Sequence, residues 1–345
     1  MLFGLDEICL IPAPLSTVEH RGDVNVFTNK NNYPIFTSPM ASIVNQMNIH
    51  TLKEHRLNVI VPRSVDFKLR LAFFKDSEWV AFGFKEAETI YEKLEIGEGV
   101  VLRMCIDQAN GHMESLLKLC KKYKEKFGNR IKIMTGNIAN PYAYKHYAAA
   151  GVDYVRVGIG GGNVCTTSVQ TGMHYPMGSL LIKLNEEKAY IKKAIELKAN
   201  YKSVPKIIAD GGFKNIKQCV TALALGADFI MLGEILAKSE EACGKTIERS
   251  CCNIKDREYF GMSTEKAQIL VNAASLFRVE DFTPKHSEGQ VKWVSVDYTL
   301  KEWEHDFEHA LRSSMSYAGA KKLDEFIGRV NWETLSPMSY NAFMK

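Results

Sequence analysis

A chain of 345 residues, 46% hydrophobic and 24% charged, has the make-up of an ordinary globular protein, with length for one large barrel or two average domains. These values exclude a disordered, collagen-like or coiled-coil chain, and no uncharged apolar stretch reaches the roughly 18 residues of a membrane span. With 44 basic and 40 acidic side chains the net charge is +4, too mild to argue for a nucleic-acid partner.

The first eight residues show no basic segment leading into an apolar core and cleavage site, which predicts a cytoplasmic protein. Short apolar or β-branched runs then follow at residues 34–37, 58–62, 79–82, 100–106, 131–135, 154–157, 206–209 and 229–232. Amphipathic stretches lie between several of them, at 114–127, 143–150, 188–199 and 216–225. Continuous Val, Ile and Leu suit strands buried on both faces, as in a parallel sheet. Eight strand–helix repeats predict an α/β fold, a (β/α)8 TIM barrel, with a doubly wound open sheet as the alternative. Residues 248–284, followed by the charged 301–309, read as an extension beyond the last strand. No linker divides the chain, so one domain is expected over 1–345.

The eight cysteines are dispersed, without CxxC or HxxxH spacing, and the adjacent Cys251-Cys252 cannot alone chelate a metal. No zinc site is expected.

The densest glycine cluster, Gly158-Ile-Gly-Gly-Gly-Asn-Val-Cys-Thr-Thr, directly follows the sixth predicted strand. Glycines there let the backbone turn tightly and approach a ligand, and Cys165 then stands where a nucleophile would sit on the active face of a barrel. A small buried hydrophobe is the competing reading of that cysteine. Ala209-Asp-Gly-Gly ends the seventh strand and Met231-Leu-Gly-Glu the eighth, in the loops that commonly hold a phosphate. Asp210 could accept from ribose hydroxyls or simply cap a helix.

Together with Tyr259-Phe-Gly-Met-Ser, Leu311-Arg-Ser-Ser-Met-Ser-Tyr-Ala-Gly-Ala and the opening Leu5-Asp-Glu-Ile-Cys-Leu-Ile-Pro, these motifs resemble the family of IMP dehydrogenases and GMP reductases, in order and over nearly the whole chain. The resemblance implies a (β/α)8 barrel binding a purine nucleotide and a nicotinamide cofactor at its carboxyl face. It also implies a homotetramer and a monovalent cation, potassium, on the carbonyls of Gly158, Gly160 and Cys165.

Within the family the reductase branch is the nearer. The chain lacks the paired regulatory insert usual in dehydrogenases. Cys105-Ile-Asp-Gln-Ala-Asn-Gly-His and Gly261-Met-Ser-Thr-Glu-Lys-Ala resemble reductase segments. Between Gly261 and Glu288 there is no Arg-Tyr pair of the kind dehydrogenases use to activate water. The resemblance then implies NADPH-dependent reduction of GMP to IMP and ammonia through a covalent Cys165 thioimidate, with Thr167 and Glu288 relaying protons. Asp210 would bind ribose and the amides of Gly211, Gly212 and Gly233 the phosphate. Gly261, Met262, Ser263, Ser287 and Gly289 would contact the base, and Arg63, Asp107, Ala109 and Gly158 would lie on the cofactor side. Taken alone, Glu288 reads as a solvated carboxylate beside a turn glycine, and Thr167 as a loop hydrogen bonder.

Several positions depart from the family pattern. Ala41 stands in place of an aspartate, and Arg63 where reductases carry a histidine–lysine pair; arginine keeps the charge but does not surrender a proton. Gly161 and Asn163 replace proline and serine, Ser168 a basic residue, and Lys285 stands near a base-contacting arginine. Glu234 follows Gly233, where a carboxylate beside a phosphate dianion is unfavourable unless it turns away. The alternatives are an IMP dehydrogenase or related enzyme on a modified purine nucleotide, a non-catalytic nucleotide binder, and a flavin-dependent barrel enzyme.

Overall fold

A computed structural model of the chain describes residues 2–249 and 255–343; the Cys251-Cys252 pair lies outside the described residues. The strands are β1 (Ile8–Ile11), β2 (Ile35–Thr37), β3 (Ile60–Val61), β4 (Trp79–Phe82), β5 (Leu102–Asp107), β6 (Ile131–Ile138), β7 (Tyr154–Val157), β8 (Lys206–Asp210), β9 (Phe229–Leu232), β10 (Thr246–Glu248), β11 (Lys255–Phe260), β12 (Val291–Ser295) and β13 (Asn331–Thr334).

Strands β2 to β9 form one parallel sheet in the order β2-β9-β8-β7-β6-β5-β4-β3. Its two ends meet at the Phe36–Asn58 bridge, where Thr37 N donates to Asn58 O and Asn58 N to Ile35 O, each at 3.0 Å. The ladder therefore runs round a barrel, and the open doubly wound sheet is set aside.

Most positions on both faces of the barrel strands are apolar and buried, which is why the sequence shows runs rather than alternation. Trp79 and Ala81 of β4, Met134 of β6 and Ile208 of β8 point inward with Phe36, Ile60, Cys105 and Met231. Their neighbours Val80, Phe82, Ile133, Ile207 and Ala209 join the larger core on the outside. Phe36, Trp79, Tyr154 and Phe229 meet at centroid distances of 5.0–6.0 Å, mostly edge to face. This aromatic plug fills the barrel below the site, each fully buried ring contributing roughly 1.5–3 kcal/mol.

The predicted helices form with clear local causes. Glu114–Phe127 buries Leu116, Leu119, Cys120 and Tyr123 along one stripe. Pro141–Ala150 starts with Pro141 at its first turn behind an Asn140 cap, and Ile216–Ala224 is capped by Asn215. The stretch expected at 188–199 is the second half of a longer helix, Met177–Glu196, whose buried Leu180, Leu181, Leu184, Lys188 and Ile191 keep helical spacing throughout.

The extension is more ordered than its sequence suggested. Strands β10, β11 and β12 form a three-stranded antiparallel sheet, with helix Glu265–Ala274 between the last two. An isolated Cys165–Gly289 bridge ties it to the mouth of the barrel. At the other side β1 pairs antiparallel with β13, Ile8 opposite Thr334. No helix among the described residues is long and apolar enough to cross a membrane.

Candidate functional site

The carboxyl ends of the barrel strands and the antiparallel extension enclose a cavity of about 950 Å3. On its floor the inward parity of three strands, apolar lower down, turns ionic: Cys105 is followed by Asp107, Tyr154 by Arg156 and Ile208 by Asp210. Arg156 is buried and bridges both acids. Its Nη1 donates to Asp107 Oδ1 at 2.6 Å; its Nη2 and Nε donate to Asp210 Oδ2 at 2.8 and 3.1 Å. Burial opposes the Arg156 charge, but the Asp210 and Asp107 carboxylates outweigh it, so the guanidinium is held firmly protonated. Asn137 Nδ2 adds a 2.7 Å bond to the same Asp210 oxygen, leaving Oδ1 without a protein donor among the described residues. Asn215 caps the following helix, so the capping alternative for Asp210 falls away.

The glycine loop descends from β7 onto this floor. Gly158 has φ +117°, and a Cβ there would lie 2.6 Å from Asp210 O; at Gly212, φ +87°, a Cβ would meet Gly161 O at 2.8 Å. Only glycine allows the two loops to approach so closely. The loop ends at Cys165, whose amide donates to Gly162 O at 2.9 Å. The Cys165 thiol donates to Thr167 Oγ1 at 3.3 Å, and the Thr167 hydroxyl donates to Glu288 Oε2 at 2.7 Å. Thr166 N to Glu288 O and Gln290 N to Val164 O, both 2.8 Å, lock the two segments together. All three side chains line the cavity.

Six cysteines fall within the described residues, all free. Burial pushes the Cys105 and Cys120 thiols up to about 12 and Cys243 up to about 11. Cys165 differs from these in opening onto the cavity with a hydroxyl partner.

The structure brings most of the predicted site residues together. Asp210, Gly211, Gly212, Gly233, Gly261, Met262 and Ser263 line the cavity, as do Arg63, Asp107, Ala109, Gly158 and Gly160. Ser287 and Gly289 do not line it. The Ser287 hydroxyl is spent inside its own turn, donating to Gly289 O at 2.8 Å and accepting from Gly289 N at 3.1 Å. These two residues frame Glu288. Arg63 lies 3.9 Å from Asp107, and its buried Nε has no acceptor among the described residues.

The carbonyls assigned to a monovalent cation fit less well. Gly158 O accepts from Asn137 Nδ2 at 2.9 Å and Gly160 O from Ser168 Oγ at 3.1 Å. With neutral donors already aimed at them, these oxygens form no ready cation cage. Among the described residues no group of three His, Cys, Asp or Glu is placed to hold a metal.

Other departures have clear surroundings. Ala41 O accepts from the Cys243 thiol at 3.4 Å, and Gln268 clamps Lys285 through both its backbone N–H and C=O. Glu234 lines the cavity, Gly161 lines a recess of about 220 Å3 behind the glycine loops, and Asn163 lines both.

Sequence reasoning missed Arg156 and Asn137. Arg156 was detectable in principle: it shares parity with inward Tyr154, so a charged side chain had to enter the barrel interior. Asn137 carries no comparable signal, since its role depends on the end of β8 lying beside it.

A sequence profile of the IMP dehydrogenase / GMP reductase domain matches residues 81–341. The chain is 29% identical to a GMP reductase of Oceanobacillus iheyensis, over 94% of this chain and 93% of the relative. It is 28% identical to a GMP reductase of Vibrio atlanticus, over 96% and 94%. A GMP reductase of Buchnera aphidicola is 32% identical over 70% of this chain and 64% of its own length.

Proposed function

Because this chain belongs to the IMP dehydrogenase / GMP reductase family of NAD(P)-dependent purine-nucleotide oxidoreductases, we propose that it is a GMP reductase, converting GMP and NADPH to IMP, NADP+ and ammonium. The observation that carries this reading is the Cys165–Thr167–Glu288 chain at the cavity wall. Two protons are taken up as the C2–N bond breaks and a C2–H bond forms, so the balance is GMP + NADPH + 2 H+ → IMP + NADP+ + NH4+.

Each step has a residue suited to it. Cys165 gives its proton toward Thr167 and attacks guanine C2 as the thiolate, forming the C–S bond. Thr167 passes the proton on to Glu288 across 2.7 Å, and the same pair returns one to the departing 2-amino group. Ammonia leaves, and C2 stays bound to sulfur as a thioimidate. A bound reduced nicotinamide supplies the hydride that C2 receives. The C–S bond then breaks to release IMP, and Cys165 recovers a proton that the relay takes up from solvent; the second proton taken up converts ammonia to ammonium.

Orientation falls to the floor of the cavity. Asp210, its Oδ2 fixed by Arg156 and Asn137, offers Oδ1 to ribose hydroxyls. The amides of Gly211, Gly212 and Gly233 border the 5′ end, and Gly261 to Ser263 border the base. Arg63, Asp107 and Ala109 border the cofactor. Held this way, the reacting atoms can sit within about 3–3.5 Å of one another.

Loss of NADPH absorbance that depends on GMP, with stoichiometric ammonium, tests the assignment. Cys165→Ala is expected to lower turnover by about 10³-fold or more while GMP still binds. Reduction of NAD+ with IMP in place of this reaction, or unchanged turnover in Cys165→Ala, would overturn it.

A further inference from the structure

The cavity has one end whose charge runs against its shape. In (β/α)8 barrels, the loops after the seventh and eighth strands and the start of a short following helix commonly seat a phosphate on backbone N–H groups. Here those parts are Gly211-Gly212 after β8, Gly233 after β9, and helix Glu234–Ala237. The first residue of that helix is an acid. Glu234 is half-buried and lines the cavity, and its carboxylate makes no ion pair or hydrogen bond among the described residues. Its charge reaches the buried Tyr259 hydroxyl, which burial first and Glu234 second hold protonated. That hydroxyl lies 2.7 Å from where a Gly233 Cβ would stand.

Among the described residues no cation on the cavity wall pairs with this acid. Asp107, Asp210, Glu234 and Glu288 line the wall against the arginines Arg63 and Arg156 and two histidines, with no lysine among the described residues; His174 Nδ1 donates to Ile159 O at 2.8 Å and makes no ion pair with Glu234. Arg156 is consumed by two carboxylates, and Arg63 faces Asp107. Burial lowers the pKa of His112, whose Nε2 accepts from Ala139 N at 3.1 Å, so it adds no positive charge. The loop's own lysine, Lys214, is exposed and lines the separate recess behind the glycines. A phosphate dianion would thus enter a wall already net negative, beside an unneutralised carboxylate. An uncharged 5′-hydroxyl would instead meet an acceptor that lacks a donor.

We infer that Glu234 turns this end of the cavity from an anion seat into a hydroxyl acceptor, so that guanine nucleosides with a free 5′-CH2OH are ligands at least as good as the 5′-monophosphates. The inference rests on the purine reading of the cavity given above and extends it to a further substrate class. The reaction keeps the same bonds: guanosine + NADPH + 2 H+ → inosine + NADP+ + NH4+.

Calorimetric titration of the whole protein with guanosine and with GMP, without reduced cofactor, tests recognition apart from turnover. Wild type is expected to bind guanosine as tightly as GMP or more tightly. Glu234→Gln, which removes the charge and keeps the shape, is expected to tighten GMP by about tenfold or more while moving guanosine less than about threefold. Glu234→Ser provides a second variant with the same expected inversion. Tighter binding of GMP than guanosine by about tenfold in wild type, or an unchanged ratio in both variants, would overturn the inference. Turnover of each ligand with NADPH is read separately. Turnover of GMP alone sinks this inference and leaves the reductase assignment standing. The expected binding ratios without turnover of either ligand support nucleoside recognition and sink the assignment. If neither ligand binds, both fall.

Discussion

Replacing Arg156 with methionine is the sharpest test of how the barrel floor is built. The change removes the cation shared by Asp107 and Asp210, whose side chains are 13% and 12% exposed beside an arginine that is 8% exposed. Taking away one partner of such a buried set costs about 3–5 kcal/mol, because the carboxylates keep their desolvation cost and lose their counter-charge. Arg63 at 3.9 Å from Asp107 and Asn137 at 2.7 Å from Asp210 remain, which favours the lower half of that range. An unfolding entropy of about 2.1 cal/mol/K per residue, taken over 345 residues, turns that lower half, about 3–4 kcal/mol, into a Tm loss of about 4–6 °C. Freed of two of its three donors' worth of restraint, Asp210 no longer holds one orientation. A displacement of about 1 Å at such a group lowers kcat/KM by about 10²-fold, here mainly through KM. Arg156→Lys keeps a charge but not the fork, and is expected to recover part of the Tm while KM stays raised. Differential scanning calorimetry and steady-state kinetics on both variants provide the check. A Tm within about 1 °C of wild type together with kcat/KM within about twofold would show that the triad does not hold Asp210 in place.

Thr167→Val should lower kcat by about 10²–10⁴-fold with little change in GMP affinity, and Thr167→Ser should restore most of it; stopped-flow measurement of the chemical step decides, and a valine variant retaining most activity rules out the relay. A second prediction concerns stability and pH. Asp228 is buried against Lys188 at 2.5 Å and Lys206 at 3.0 Å; burial pushes its pKa up, but the two lysines outweigh that and hold it below the usual carboxylate value. A folded pKa below the unfolded value of about 3.9 gives stability that is complete above about pH 4 and is lost as pH falls through the folded pKa. Asp228→Asn should therefore melt lower than wild type at pH 7, by an amount that shrinks below about pH 4; a gap that widens on acidification would reverse the sign.

The barrel was legible because its signal is local. A strand buried on both faces is apolar at successive positions, so runs such as Trp79–Phe82 and Phe229–Leu232 coincide with the observed strands. Strands β10 to β12 were not legible, since β12 exposes Val291 and Trp293, β10 is exposed throughout, and the buried β11 opens on charged residues, Asp256 and Arg257, rather than an apolar run. The β1–β13 pairing was hidden for a different reason. It joins Ile8 to Thr334, and neither short segment has a periodic reason to seek the other.

For the site, the amino-acid order alone determined which groups are chemically able. A cysteine in a glycine-rich loop, a threonine two residues on, an aspartate before paired glycines and an acid after Gly233 are all visible in one dimension. Which of them meet was decided by the tertiary structure. Thr167 and Glu288 are 121 residues apart and become partners only because the extension folds over the mouth of the barrel. Asp107, Arg156 and Asp210 come from three strands and form one ionic set because each strand's inward parity changes from apolar to charged at the same height. Glu234 acquires its meaning in the same way. Its charge is written in the sequence, but only the assembled cavity leaves that charge without a counter-ion among the described residues, because hydrogen bonds and Coulomb forces act over a few ångströms whatever the distance along the chain.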